Sequence, residues 1–345
     1  MSGQETIYNV LISTYIEPEL VERIRQVNPP RLNVIYEPAM LGQPRYAADH
    51  YNLPQRTPDQ EARWRQWLAE ADILFDFDPT HRADLSEAAP KLRWVQSTSA
   101  GIGQFVKRSR YAERMPQAVF TTASGVHARP LAEFCMMAML VFNKGLLRMF
   151  HDQAQHKWER YAGTDLDGRT LGIIGVGKIG CEVTRLANAF GMHVLGINAG
   201  ATSACLDRLY CPEELHKMLP HCEYLVVAAP HTPQTERMMG AAEFALLPAG
   251  ALFINIGRGQ IVDEPALIAA LRSGHLGGAA LDVVEVEPLP ADSPLWDMPN
   301  VLISPHSAST SDRENSRITD LFCENLRRFL ADEPLLNVLD PERMY

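Results

Sequence analysis

Apolar residues fall along the chain in short runs, separated by stretches of helical periodicity. Val10–Ser13, Leu32–Tyr36, Ile73–Phe77 and Trp94–Ser97 read as strands. Between them Pro18–Gln26 has helical polarity. Thr57-Pro58-Asp59-Gln60 reads as a capping box with proline at the first helical position, opening a helix that runs to Glu70. This βα alternation predicts a small parallel sheet with helices on its faces. Residues 38–57 are rich in proline, tyrosine and polar groups and predict a long loop. The apolar stretch from Pro130 to about Trp158 carries few breakers and predicts one long helix. After the turn signal Asp167-Gly168 a second series begins, with strand candidates at Thr170–Ile174, His193–Ile197, Tyr224–Ala228, Ala251–Ile256, Ala279–Val283 and Val301–Ser304. Six strands with intervening helices predict a doubly wound parallel sheet of the Rossmann type. Arg313–Leu330 reads as a closing amphipathic helix.

Composition narrows the functional classes. A chain of 345 residues exceeds what one core usually organises, so two domains are expected. A net charge of -10 argues against a nucleic-acid surface and an anionic membrane surface, but leaves an anionic small molecule open, since a few local cations suffice to bind one. No basic-then-apolar signal segment and no apolar run of about 18 residues is visible. The cysteines (Cys135, Cys181, Cys205, Cys211, Cys222 and Cys323) form no CxxC pair and have no zinc-like spacing. These features predict a reduced, cytoplasmic protein with no metal, no nucleic-acid partner and no membrane partner.

The apolar run Leu171-Gly172-Ile173-Ile174 leads at once into Gly175-Val176-Gly177-Lys178-Ile179-Gly180. A GxGxxG alone is compatible with plain turn glycines. Here Ile179, Val183, Leu186, Ala187 and Phe190 follow at helical spacing, Gly191 sits where a C-cap glycine belongs, and His193–Ile197 supplies the next strand. The result is a βαβ unit in which Gly175 permits the tight turn, Gly177 admits a pyrophosphate to the backbone and Gly180 lets helix pack on strand. The expected acidic residue at the end of the second strand is missing. Asn198 stands there, followed by the uncharged Ala199–Ser203, with Arg208 the nearest cation in sequence. Asn can bond a ribose hydroxyl but repels no phosphate, so both NAD and NADP are expected to serve.

The later strands end in reactive side chains: Asn255-Ile256-Gly257-Arg258-Gly259, Asp282 with Glu285-Val286-Glu287-Pro288 just beyond, and Ser304-Pro305-His306-Ser307. Each taken alone has a bland reading, as a solvated loop charge or a satisfied strand-end histidine. In one parallel sheet, however, all these ends lie on the edge that carries the glycine loop, where ligands bind. An arginine, carboxylates and a histidine on that edge suit proton and hydride chemistry at a carbonyl.

These runs, together with Ala229-Pro230-His231-Thr232-Pro233, Ile254–Gly259, Ala280–Pro288 and Ser304–His306, make the chain resemble the D-isomer-specific 2-hydroxyacid dehydrogenases nearly continuously from Leu166 to Thr310. The resemblance implies a Rossmann cofactor domain (127–308) inserted in a smaller flavodoxin-like α/β substrate domain (1–126 plus 309–345). It implies His306 and Glu287 as the catalytic acid/base pair and Arg258 as substrate binder. Cofactor contacts are implied at Gly175, Gly177, Lys178, Ile179, Gly180, Asn198, Ala229, Pro230, Thr235, Ile256, Gly257 and Asp282. Ser99-Ala100-Gly101 is similar to the family loop whose amides receive the substrate carboxylate. Many members have Asn where Thr122 or His127 stands here. The implied activity is hydride transfer between NAD(P) and C2 of a small 2-hydroxy or 2-oxo acid. A homodimer through the cofactor domain is also implied, with Pro130–Trp158 a contributor. Glu287, where formate dehydrogenases of this fold typically carry Gln, argues against formate. An NAD-sensing corepressor-like binding protein, or a reductase of phosphite or phosphorylated acids, are the competing readings. The Lys107-Arg108-Arg110 cluster is more simply a solvated face.

Overall fold

The computed structural model describes residues 6–198, 206–340 and 342. In chain order its main elements are β1 (Tyr8–Ile12), α1 (Pro18–Arg25), β2 (Leu32–Ile35), α2 (Pro58–Glu70), β3 (Ile73–Phe75), α3 (Leu85–Ala88), β4 (Trp94–Gln96), α4 (Gly103–Arg108), α5 (Tyr111–Arg114) and β5 (Val119–Thr121). They continue with α6 (Ala128–Asn143), α7 (Leu146–Ala154), β6 (Thr170–Ile174), α8 (Lys178–Ala189), β7 (His193–Ile197), β8 (Arg208–Tyr210), α9 (Leu215–Met218) and β9 (Tyr224–Val227). The last are α10 (Ala241–Leu246), β10 (Ala251–Asn255), α11 (Glu264–Arg272), β11 (Leu276–Leu281), β12 (Val301–Ile303) and α12 (Glu314–Leu330). The chain divides into two compact units, Met1–His127 with Thr310–Tyr345, and Ala128–Ser309.

The first unit is a parallel sheet in the order β2-β1-β3-β4-β5, the flavodoxin-like winding. Strand β5 went unread in the sequence because it is short and its first residue faces solvent. Alternate residues serve opposite faces: Leu11, Leu74 and Val95 pack with Trp64 and Leu68 of α2, while Val10, Ile12, Phe75 and Trp94 pack with Phe322 of α12. Helix α2 begins at the expected capping box, Thr57 Oγ1 accepting from the Gln60 amide and Gln60 reaching back to the Thr57 amide. The predicted loop 38–57 is held in place: the buried Arg56 guanidinium pairs with Asp78 and Glu61 and lies 3.9 Å from the Trp64 ring centroid.

The second unit is a parallel sheet in the order β12-β11-β10-β9-β6-β7-β8, the Rossmann winding extended at one edge. It has seven strands where the sequence suggests six. The addition, β8, is a three-residue edge strand with one buried side chain, too short to leave a pattern. Strand β11 starts at Leu276, earlier than expected, because Gly277 and Gly278 lie inside it. A Cβ on Gly278 would stand 2.4 Å from the Phe142 ring and one on Gly277 2.5 Å from the Gly250 carbonyl, so these glycines mark close packing, not a turn.

The expected single helix from Pro130 to Trp158 is corrected to two. Helices α6 and α7 are bent by 55° at the Lys144-Gly145 break. Gly145 takes the left-handed conformation (φ 67°), and the Tyr161 hydroxyl donates to the Lys144 carbonyl at 2.7 Å. A left-handed glycine ends a helix at no steric cost, and tyrosine caps the orphan carbonyl. Trp158 lies beyond α7, outside any helix. Among the described residues no single helix is long and apolar enough to cross a membrane.

Candidate active site

The three glycines after β6 are used differently. Gly175 has φ 96°, and a Cβ there would stand 2.5 Å from the Ala229 amide nitrogen, so only glycine lets the turn lie against the next strand end. A Cβ on Gly180 would stand 2.5 Å from the Gly175 carbonyl, which fixes how closely α8 approaches the strand. A Cβ on Gly177 would meet nothing within 4 Å. Gly177 is the N-cap of α8, so the space beside the first turn of that helix, at Lys178 and Ile179, is open on the glycine's side, as the approach of a pyrophosphate requires. Gly191, with φ 72°, ends the helix.

Asn198 ends β7, and its amide donates to the Val176 carbonyl at 3.4 Å, which ties it to the glycine loop. Ala199–Ser203 and Cys205 lie outside the described residues. Arg208 pairs in register with Leu195, two residues, or about 7 Å, before the end of β7 at Ile197. Its guanidinium lies 4.4 Å from the Tyr210 ring. Ala229 and Pro230 follow β9. The Thr235 hydroxyl donates to the Pro230 carbonyl at 2.7 Å and accepts from the Thr232 amide at 2.8 Å, closing that loop on itself.

After β10 the buried Asn255 organises the next turn, accepting from the Gly257 amide at 3.1 Å and donating to the Arg258 carbonyl at 3.2 Å. Ile256 is buried and holds the turn to β9 through its amide on the Val227 carbonyl, 3.0 Å. A Cβ on Gly257 would stand 2.8 Å from the Ala229 carbonyl, and one on Gly259 only 1.8 Å from the Val284 carbonyl. Arg258 is thus held between glycines that tolerate no side chain. Its guanidinium donates to the Gly257 carbonyl at 2.7 Å, and among the described residues no carboxylate comes within 4 Å of it. Asn255 and Gly259, which appear in the sequence only as the flanks of the Arg258 run, brace this turn. Their signal was an asparagine ending a buried strand and a glycine flanking the arginine.

Asp282, at the end of β11, is buried and accepts from the Ser304 hydroxyl at 2.7 Å and the Ala308 amide at 2.8 Å. Those bonds and the His306 amide on the Asp282 carbonyl (2.9 Å) shape the turn after β12. His306 adopts φ 54°, a left-handed conformation that costs a non-glycine residue about 1 kcal/mol. In this pose its Nδ1 meets Glu287 Oε2 at 2.8 Å. A carboxylate can only accept, so Nδ1 carries a proton and Nε2 is the nitrogen left to exchange one. The hydrogen bond to Glu287 and then its charge raise the His306 pKa, outweighing burial. Burial pushes the Glu287 carboxyl up, but the His306 hydrogen bond and charge, the Val284 amide and Arg258 bring it below its ordinary value. Glu285 points elsewhere and pairs with Arg237 at 2.9 Å.

Ser99, Ala100 and Gly101 belong to the first unit, in the loop after β4. The Ser99 amide donates to Ser97 Oγ at 3.0 Å and the Gly101 amide only weakly to Ser99 Oγ at 3.3 Å. Among the described residues the Ala100 amide has no acceptor, which suits a loop that receives an anion. Lys107, Arg108 and Arg110 are exposed, as a solvated face requires.

Residues 136–308 match the family model for the D-isomer specific 2-hydroxyacid dehydrogenase, NAD binding domain. The chain is 33% identical over 274 residues to a glyoxylate reductase of Korarchaeum cryptofilum, spanning 75% of this chain and 80% of that one. The crystal structure of a D-isomer specific 2-hydroxyacid dehydrogenase family protein from Aeromonas salmonicida superposes with a TM-score of 0.80 at 29% identity, covering 97% of this chain and all of that one. An NADPH-dependent glyoxylate/hydroxypyruvate reductase from Sinorhizobium meliloti, solved with NADP and sulfate, has a TM-score of 0.76 at 27% identity and covers 98% of this chain. The open helix N-terminus at Gly177 and these likenesses agree: the chain belongs to the D-isomer specific 2-hydroxyacid dehydrogenase family and is an NAD(P)-dependent 2-hydroxyacid dehydrogenase.

Proposed function

We propose that this enzyme reduces a small 2-oxo acid of the glyoxylate or hydroxypyruvate kind, with His306 as proton donor, Glu287 orienting it and Arg258 as substrate binder; in the first unit, taken by itself, the Ser99–Gly101 amides form a carboxylate-receiving loop. The observation that carries this reading is the 2.8 Å His306–Glu287 pair on the sheet edge that bears the glycine loop. The bound dinucleotide supplies the hydride. The remaining work falls to the side chains. As negative charge grows on the carbonyl oxygen, a proton from Nε2 neutralises it, and Glu287 keeps the imidazolium populated. The planar guanidinium of Arg258 can grip a carboxylate or bridge it to the reacting oxygen, which an ammonium cannot do. Gly177, with Lys178 and Ile179 at the head of α8, would hold the pyrophosphate, while Gly175 and Gly180 shape the turn and the helix packing around it. Asn198, Ala229, Pro230, Thr235, Ile256, Gly257 and Asp282 line the rest of the dinucleotide path.

The protein works in this reading as a cytoplasmic homodimer. The cysteines among the described residues are free thiols, as in a reducing compartment. The second unit presents an apolar groove of about 650 Å³ lined by Met136, Met137, Leu140, Val141, Met149 and Phe190. Phe150 beside it is 61% exposed. A monomer rarely leaves such a patch in water, and a second copy covers it by two-fold symmetry.

A panel of 2-oxo acids followed by NADH and NADPH absorbance, run beside Arg258→Lys, tests the assignment. Glyoxylate and hydroxypyruvate should lead the panel. Arg258→Lys should lose about 100-fold in kcat/KM, roughly 2.7 kcal/mol. Near-wild-type Arg258→Lys would leave that residue a local charge. No turnover with any acid would favour the binding-protein reading.

A further inference from the structure

We propose that Asp76 is a positioning residue for substrate binding: it sets the Ser99–Gly101 loop at the angle from which its amides receive a carboxylate. The inference rests on the reading of that loop given above.

In the first sheet, β1 and β3 flank the point where the strand order reverses, and Asp76 follows β3 there directly. It is a buried carboxylate in a left-handed conformation, φ 66°, which disfavours every residue but glycine and to a lesser degree Asn and Asp. Its amide donates to the Gln96 carbonyl at 2.7 Å, and its carbonyl accepts from Ser13 Oγ at 2.6 Å. The backbone is therefore fixed from both neighbouring strands, and the side chain is aimed by that fixed pose.

The carboxylate is spent on one residue. Oδ2 accepts from Thr98 Oγ1 at 2.9 Å and Oδ1 from the Thr98 amide at 3.3 Å. Thr98 is the last residue before Ser99. From the other side the Ala123 amide donates to the Ser99 carbonyl at 3.1 Å. The loop is pinned at its root by these two contacts, while the Ala100 amide stays without an acceptor among the described residues. Both carboxylate oxygens are turned to Thr98, so they hydrogen-bond the root of the loop and leave its later amides for an anion. A left-handed, buried carboxylate whose hydrogen bonds brace this turn, with the buried His50 also within its field, is strain retained beside a binding loop.

Asp76→Asn keeps one acceptor, Asp76→Gly removes both while relieving the left-handed strain, and Thr98→Val removes the hydroxyl donor. KM for glyoxylate and Ki for oxamate, a carboxylate-bearing mimic, are compared with kcat, the Kd for NADPH and Tm. KM and Ki should rise about threefold for Asp76→Asn and tenfold or more for Asp76→Gly and Thr98→Val. The double variant Asp76→Gly/Thr98→Val should be no worse than either single one, and NADPH affinity should be unchanged. A fall in kcat and NADPH affinity that tracks Tm, with KM unmoved, would reduce Asp76 to a structural role. Gly101→Val separates the two readings. If it raises KM while the Asp76 variants do not, only the positioning role fails. If it too leaves KM unmoved, the loop is not the carboxylate site and both readings fall.

Discussion

His306 holds its proton in an unfavourable backbone pose, and the 2.8 Å contact with Glu287 is what the pose secures. Because that contact raises the histidine pKa, reductase activity should persist above the ordinary titration range of histidine and fall as pH rises through the shifted value. Glu287→Gln removes the charge and keeps the shape. The alkaline limb of the kcat/KM profile should then move to lower pH, and an unchanged profile would remove Glu287 from the proton-donating pair. His306→Ala should cost about 10²–10⁴ in turnover at the pH optimum, the usual share of one positioned acid. Gly259 is the opposite kind of residue, defined by what it lacks. Its Cβ position is 1.8 Å from the Val284 carbonyl, so Gly259→Ala must displace backbone. Thermal unfolding should show a loss of at least about 2 kcal/mol, as expected of overpacking a close contact.

At the scale of elements, the ends of the strands decide the chemistry. Strand β7 ends in Asn198, which bonds the glycine loop and presents no negative charge. On β8 the Arg208 guanidinium lies against Tyr210, which pairs in register with Ile197 at the end of β7. The sequence carries no acidic residue at that end and no cation among residues 199–203, and both cofactors should be used with efficiencies within about 10³ of each other, roughly 4 kcal/mol. Asn198→Asp should cut kcat/KM with NADPH far more than with NADH by repelling the 2′-phosphate. Equal losses with both cofactors would mean that the residue is not read by the ribose. The helix pair α6 and α7 shows the same economy: one left-handed glycine and one tyrosine hydroxyl turn a continuous apolar stretch into two helices.

For the whole molecule, the homodimer proposed above would rest on the exposed apolar groove of the second unit. Phe150→Asp, alone or with Met137→Lys, places charge on a face that a partner copy would bury, and such a charge is costly to desolvate. Sedimentation velocity should show a dimer for the wild type and a shift to monomer for the double variant. A wild-type monomer at micromolar concentration would leave that face to another use.

The order of strands and helices, the glycine loop and the capping box of α2 were legible in the sequence, because each is written in residues close together along the chain. Periodicity names an element, and a short-range signal such as Thr57–Gln60 or Gly175–Gly180 names its start. The edge strands β5 and β8 were not legible, since solvent-facing residues break up their apolar runs, whereas β3 and β4, of the same length, are buried throughout and were. The break at Gly145 escaped because Tyr161 closes it from beyond the helix. At the strand ends the pairing of His306 with Glu287 came from the family resemblance, and the tertiary structure sets Glu287 against the histidine and turns Glu285 toward Arg237. Asp76 gave no signal, because its partners Ser13, Gln96 and Thr98 come from the ends of two other strands of the sheet, β1 and β4. Local sequence determines which elements form. Contacts between residues far apart in the chain decide which side chains meet.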